Sequence, residues 1–192
     1  MAKDAAPWSM LVAHPRTPGA GVYGIGAEVR FIKPALLFCD YTLHADMAQV
    51  RLPARQGGSP VDGLWQHTCF EAFCAVPSGS AYYEFNFSPA GAWAAYRFGG
   101  YRERLADPEL RSAPLVALRE GEGGAQLEVS LDTGGLPRLG ATQPIELALA
   151  VVIEGQDRAL HHYALAHPAE QPDFHDRRGF LLTLPGTGRR AR

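Results

Sequence analysis

Apolar and polar residues alternate along most of this chain with the period of strands rather than helices. From Val22 to Ile32, Tyr23, Ile25, Ala27, Val29 and Phe31 fall on one side, and Glu28 and Arg30 on the other. Gln126 to Leu131 alternates as cleanly and predicts Leu127, Val129 and Leu131 inward. Trp8–Ala13, Ala35–Leu43, Leu115–Arg119, Ala159–Ala166 and Phe180–Leu184 are further strand candidates. Ile145–Ile153 is apolar on both faces, which predicts a central strand. Two stretches break the pattern. Leu52 to Gly63, rich in Pro and Gly, reads as a long loop, and the polar run from Tyr101 to Pro114 leaves room for a helical turn near Asp107-Pro-Glu-Leu110. With no longer helix, repeat or linker, residues 1–192 are expected to form one all-β domain. Its predicted architecture is a single antiparallel β-sandwich of jelly-roll type with about ten strands.

The pattern is densest in aromatics from Leu64 to Arg102, LWQHTCFEAFCAVPSGSAYYEFNFSPAGAWAAYRFGGYR, which holds two of the three Trp and five of the nine Phe. Pro77-Ser-Gly-Ser80 and Ser88-Pro-Ala-Gly91 are turn signals that divide it into three strands. Within them Tyr82, Glu84, Asn86 and Ser88 share a side, opposite Tyr83, Phe85 and Phe87; Cys69, Glu71 and Phe73 share a side, as do Trp93, Ala95 and Arg97. The expectation is one sheet face that carries Glu71, Glu84, Asn86, Trp93 and Arg97 together, with Trp93 as the ligand-responsive platform and Trp65 as a buried anchor near the sandwich end.

Composition adds little to this and removes several function classes. A net charge of −2 and a pI near 6.4 give no electrostatic reason to expect nucleic acid or an anionic membrane as partner. The N-terminal residues lack the apolar run of a signal peptide, no segment is long enough to span a membrane, and the basic end Arg189-Arg190-Ala191-Arg192 is expected to fray. Cys39, Cys69 and Cys74 have no framework spacing and read as buried thiols of a reducing compartment, so a cytoplasmic location is expected.

The segments LWQHTCFEAF, YYEFNFSP and WAAYRF, with Ala164-Leu-Ala-His-Pro168 and Pro172-Asp-Phe-His175, resemble a bacterial subgroup of DOMON-like β-sandwich proteins related to family nine carbohydrate-binding modules. Those modules pair a Trp with a Glu a few residues on, here Trp65 and Glu71, ahead of a strand that ends in a Ser/Asn-Pro-x-Gly turn, here Ser88 to Gly91. The resemblance covers most of the chain and implies a β-sandwich and a small ligand.

Several chemistries compete for these residues. Trp65, Glu71, Glu84, Asn86, Trp93, Arg97 and His175 suit a non-catalytic site for a carbohydrate or glycan-like metabolite, because a sugar offers an apolar ring face and a rim of hydroxyls. The same residues read otherwise as packed aromatics around a structural ion pair. An enzyme using Glu71, His67 or His175 as acid or base is the second functional reading, and a protein-interaction face is the third. His67, Cys69 and Glu71 form a row two residues apart, but neighbours in such a row sit about 6.6 Å or more apart, too far for direct hydrogen bonding. His167, Asp173 and His175 could surround a metal, although no paired ligand spacing supports one. A haem would have only Met10 and Met47 inside the chain as Met ligands. No cofactor or metal is therefore expected. The Pro-rich loop from His167 to His175 is expected to close over one edge of the site as a lid, or, in the structural alternative, to plug the end of the sandwich with Phe174.

Overall fold

A computed structural model describes residues 8–19, 21–55, 57–139 and 143–186; the first seven residues and the basic C-terminal run lie outside these. The chain runs β1 (Ser9–Ala13), β2 (Val22–Lys33), β3 (Leu36–Ala45), β4 (Cys69–Ala75), β5 (Tyr82–Phe87) and β6 (Trp93–Phe98). It continues through β7 (Leu115–Gly121), β8 (Gly124–Asp132), β9 (Ile145–Glu154), β10 (Leu160–Ala164) and β11 (Leu182–Leu184). All pairings between them are antiparallel. One layer has the order β1-β2-β3-β8-β7 and the other β6-β5-β4-β9-β10-β1, with β11 completing the edge of β9 beyond β10. β1 belongs to both layers, pairing β2 along Ser9–Leu11 and β10 at Val12 and Ala13. The antiparallel sandwich read from the alternation is the architecture observed.

Between the layers, Ile25, Val29, Leu37, Tyr41, Leu127 and Leu131 from one sheet meet Phe70, Phe85, Phe87, Leu147, Leu149 and Val151 from the other. The inward set predicted for β8 is buried as expected. Tyr23 departs from its predicted side: the register slips between Val22 and Gly24, and the ring of Tyr23 is 77% exposed. A bulge of this kind turns one residue out of the alternation.

The two sheets differ on their outer faces. β2, β3 and β8 alternate buried and less buried positions, as a half-solvated sheet should. Every residue of β4 and β5 is buried. A second apolar cluster covers their outer face, where Phe73, Tyr82, Tyr96 and Phe98 pack with Leu64 and Phe180 from the connecting loops. The loop before β4 ends in a 3₁₀ turn, Leu64–Gln66, entered through Gly63 at φ 79°, a left-handed conformation that favours glycine. The loop before β11 holds a second, Arg177–Gly179, capped by the Asp176 carboxylate accepting from the Arg178 N–H. The helical turn expected near residues 107–110 does not form. That stretch is irregular, with the Arg104 guanidinium donating to Asp107.

Candidate functional site

The outer face of the β6-β5-β4-β9 sheet is a grid fixed by register. Glu71 lies opposite Asn86 on β5 and Ala150 on β9; Phe73 lies opposite Glu84 and Ala148. Glu84 in turn faces Tyr96, and Tyr82 faces Phe98. Directly paired residues project to the same side. Two glutamates and an asparagine therefore sit among rings, with alanines on the flanking strands leaving space above them.

That space is a cavity of about 350 Å³ whose floor is Glu71, Phe73 and Glu84. Tyr96 and Phe98 form one side, with Trp65 from the 3₁₀ turn and Arg102 and Arg104 from the β6–β7 connection. Pro172, Phe174 and His175 of the loop after β10 close another side, as expected of that loop. Trp65 is 39% exposed and meets Tyr96 edge to face at 5.9 Å, while the Arg104 guanidinium lies 4.4 Å above the Tyr96 ring.

Five of the seven expected residues, Trp65, Glu71, Glu84, Asn86 and His175, come together here. Asn86 is fully buried beneath the floor and donates from Nδ2 to Glu84 Oε1 at 2.9 Å. Trp93 and Arg97 do not join them. The tight Ser88–Gly91 turn sets Phe87 against Trp93 and Tyr83 against Arg97, so these two share the parity of the core-facing side. Trp93 packs on the inter-sheet core and donates from Nε1 to the Gly58 carbonyl, and Arg97 is exposed at the strand end. The roles anticipated for the two tryptophans are thus reversed: Trp65, expected to be a buried anchor, lines the cavity. Tyr96, Phe98, Arg104 and His162 were not singled out for the site. The parity of Tyr96 and Phe98 follows once the β5–β6 turn is known to pair even with even positions; only folding brings in His162 of β10.

A chain of hydrogen bonds fixes His175. The Arg102 backbone N–H donates to the Tyr82 hydroxyl at 3.1 Å, and that hydroxyl shares a hydrogen bond with His175 Nδ1 at 2.9 Å. His175 Nε2 lies 3.6 Å from Glu84 Oε2. Burial, with the Arg102 charge nearby, holds His175 down at about 4, so it is neutral at neutral pH. Asp173 anchors the same loop by accepting from Arg102 at 2.9 Å and Tyr101 at 2.6 Å.

Both floor carboxyls are pushed up. Burial raises Glu84 to about 7, against the hydrogen bond from Asn86 and the charges of Arg102 and Arg104, which lower it. Burial and the neighbouring Glu84 carry Glu71 well above the ordinary carboxylate range. Glu71 Oε1 and Asn86 Oδ1, on cross-strand partners, are buried acceptors without a donor.

Other arrangements read from the sequence separate. His67 pairs with Glu154 at 2.9 Å, and Cys69 is fully buried with its thiol pushed far up by burial, so the His67–Cys69–Glu71 row holds no thiolate nucleophile. His167 shares a hydrogen bond with the Val12 carbonyl at 2.8 Å, a backbone-satisfying role, while His175 turns into the cavity. Among the described residues no group of three or more His, Cys, Asp or Glu is placed to hold a metal ion.

No protein-family model and no curated protein matches the sequence. Solved structures do match. A candidate carbohydrate-binding protein from Bacteroides uniformis superposes with a TM-score of 0.67 at 18% identity, over 94% of this chain and 86% of that one. A family 9 carbohydrate-binding module from Caldicellulosiruptor kristjanssonii in complex with cellotriose superposes with a TM-score of 0.53 at 7% identity, over 83% and 72% of the two chains. Such a module in complex with glucose gives 0.51 at 8% identity, over 83% and 74%. The chain shares its fold with these modules.

Proposed function

We propose that this protein binds a carbohydrate, without transforming it, in the cavity above Glu71 and Glu84. The observation that carries the reading is the meeting, in one cavity, of aromatic walls and two buried carboxyls, Glu71 with an oxygen that has no hydrogen-bond partner and Glu84 beside it. Aromatic surface suits the C–H face of a sugar ring, and unfilled acceptors suit its hydroxyls. The shared fold supports it, since the modules superposed on this chain hold cellotriose and glucose. At about 350 Å³ the space lies at the small end of ligand pockets, which run from roughly 300 to 1,000 Å³, and suits one or two sugar rings rather than a long chain. A concave site also favours a small ligand over a flat partner interface. The three buried, unpaired cysteines are consistent with a reducing, cytoplasmic location.

One observation favours a second reading. Two neighbouring carboxyls, one lifted to about 7, are the usual raw material of acid–base catalysis. A titration followed by Trp fluorescence decides between the two. Glucose, glucosamine, N-acetylglucosamine and cellotriose are added to the protein and to Trp65→Phe, and the sugars are then recovered and analysed. The expected outcome is saturable quenching that Trp65→Phe loses, with the sugars recovered intact. Glu84→Gln, which disturbs the Asn86 contact, should weaken binding by roughly 1–3 kcal/mol. Recovery of cleaved cellotriose, abolished by Glu84→Gln, would replace binding with hydrolysis.

A further inference from the structure

Among the described residues the buried glutamates fall into two sites, and the contrast between them points to the charge of the ligand. Glu154, 4% exposed, has basic side chains around it: His67 at 2.9 Å, Arg158 at 3.1 Å and Arg51 at 3.5 Å. Burial pushes Glu154 up, but the hydrogen bonds from His67 and Arg158 outweigh this and hold it below the ordinary range. That site is complete.

Glu71, 2% exposed, has no ion-pair partner among the described residues. The two arginines at the cavity rim are already engaged: Arg102 donates to Asp173 at 2.9 Å, and Arg104 to Asp107 at 3.1 Å with Asp62 at 3.8 Å. His175 is neutral and too far from Glu84 Oε2, at 3.6 Å, for a good hydrogen bond. The floor therefore presents two carboxyls, a donor-less Glu71 Oε1 that is itself buried, and a donor-less Asn86 Oδ1 behind it. It has acceptors in excess, and no cation is paired with either carboxyl: the Arg102 and Arg104 charges reach Glu84 only from their own partners at the cavity wall.

Isolated buried carboxylates are costly, and burial raises the proton affinity of both floor carboxyls. A proton on Glu71 lowers that cost by removing the charge. A ligand ammonium lowers it further. It brings three donors and a full positive charge to a place where one of the two carboxyls can then ionise while the other keeps its proton, and hydrogen bonds between ions are about twice as strong as neutral ones. The walls agree, since aromatic rings such as Trp65 and Phe73 tolerate a cation at their faces and exclude the water that would screen it. A hydroxyl brings one donor and no charge.

We infer that the ligand is a sugar bearing a free, protonated amine, a hexosamine in chemical class, whose ammonium group sits over Glu71 and Glu84. This inference rests on the sugar-binding reading above and adds the group that confers selectivity. Arg102 and Arg104 also line the cavity, with their charges engaged by Asp173 and Asp107.

Calorimetric titration with glucosamine, glucose and N-acetylglucosamine, at a pH where the free amine is protonated, tests it. Glucosamine should bind about tenfold or more tighter than glucose, a difference of about 1.4 kcal/mol, and N-acetylation, which removes the charge, should erase the gain. Glu71→Gln keeps the shape of the floor and should bring the glucosamine-to-glucose ratio to about one, whatever it does to either affinity. Glu84→Gln serves as the second variant, and thermal melts establish that each is folded. Glucose binding as tightly as glucosamine overturns the amine and leaves the carbohydrate site standing. A ratio that survives both substitutions also overturns it, because the amine is then read elsewhere. Failure of all three sugars to bind overturns both this inference and the carbohydrate reading.

Discussion

Glu84 and His175 meet at 3.6 Å, yet their proton equilibria pull stability in opposite directions. Glu84 is raised from 4.5 to about 7, so the native state holds its proton longer than the unfolded chain does. Its contribution is complete below the ordinary carboxylate range and is lost as pH rises to about 7. His175 and His162 are lowered from 6.5 to about 4, mainly by burial; their contribution is complete above 6.5 and lost as pH falls towards 4. Asp62, Tyr82, Glu71, Arg102, Arg104 and Asp173 also face this space, so the parent's profile is a composite. The difference between parent and variant isolates one group. In ligand-free melts, the stability of Glu84→Gln relative to the parent should climb between about pH 4.5 and 7 and level off above, by roughly 3 kcal/mol at most. A difference that stays flat across that range would mean Glu84 ionises normally in the fold.

The loop from His167 to His175 is the element on which plugging and lidding can be told apart. Phe174 lines the cavity and meets His162 at 5.9 Å and Phe73 at 6.4 Å, but it is only half-buried. A fully buried Phe loses about 3–5 kcal/mol on truncation. A half-buried one over a cavity should lose less, so Phe174→Ala is expected to cost about 1–2 kcal/mol in urea unfolding while weakening sugar binding several-fold. A loss in the full range with unchanged binding would make Phe174 a plug. Elements of this kind mark the limit of what the sequence showed. Strand existence and faces were legible for β2, β4, β5, β8 and β9, because apolar alternation survives wherever a face is buried. The grouping of Glu71 with Glu84 and Asn86 was legible for the same reason. Trp93 and Arg97 were misplaced because alternation gives parity only within a strand; parity between strands depends on turn length and register. His162 and Phe174 reach the site from β10 and the loop after it, adjacent in the same sheet but distant in sequence, and no local pattern announces such an approach.

At the scale of the whole molecule, β1 is the strand that makes two layers one hydrogen-bonded sheet. It borders β2 and β10 at once, and Leu11 enters the common core. A chain beginning after residue 13 would open the edges of both neighbours together and leave Ile25 and Ala164 without their partners on β1. The expected outcome is aggregation of the shortened chain, seen on size-exclusion chromatography beside the full chain, rather than a modest drop in melting temperature. Recovery of a folded species eluting as the full chain does would show that the two layers hold without their shared strand.

The back-to-back use of β4 and β5 also bears on how such a protein can diversify. On these strands the residues alternate, one to the core and the next to the cavity: Phe70 then Glu71, Ala72 then Phe73, and on β5 Tyr83 then Glu84. Inserting or deleting a single residue in either strand would exchange the two sets, driving carboxyls into the inter-sheet core and core rings into the cavity. Change in ligand preference is therefore channelled into substitutions at every second position, while length variation is confined to the connections that carry Trp65, Arg104 and Phe174. The floor sets the chemical vocabulary of the site, and the loops are free to rewrite its outline.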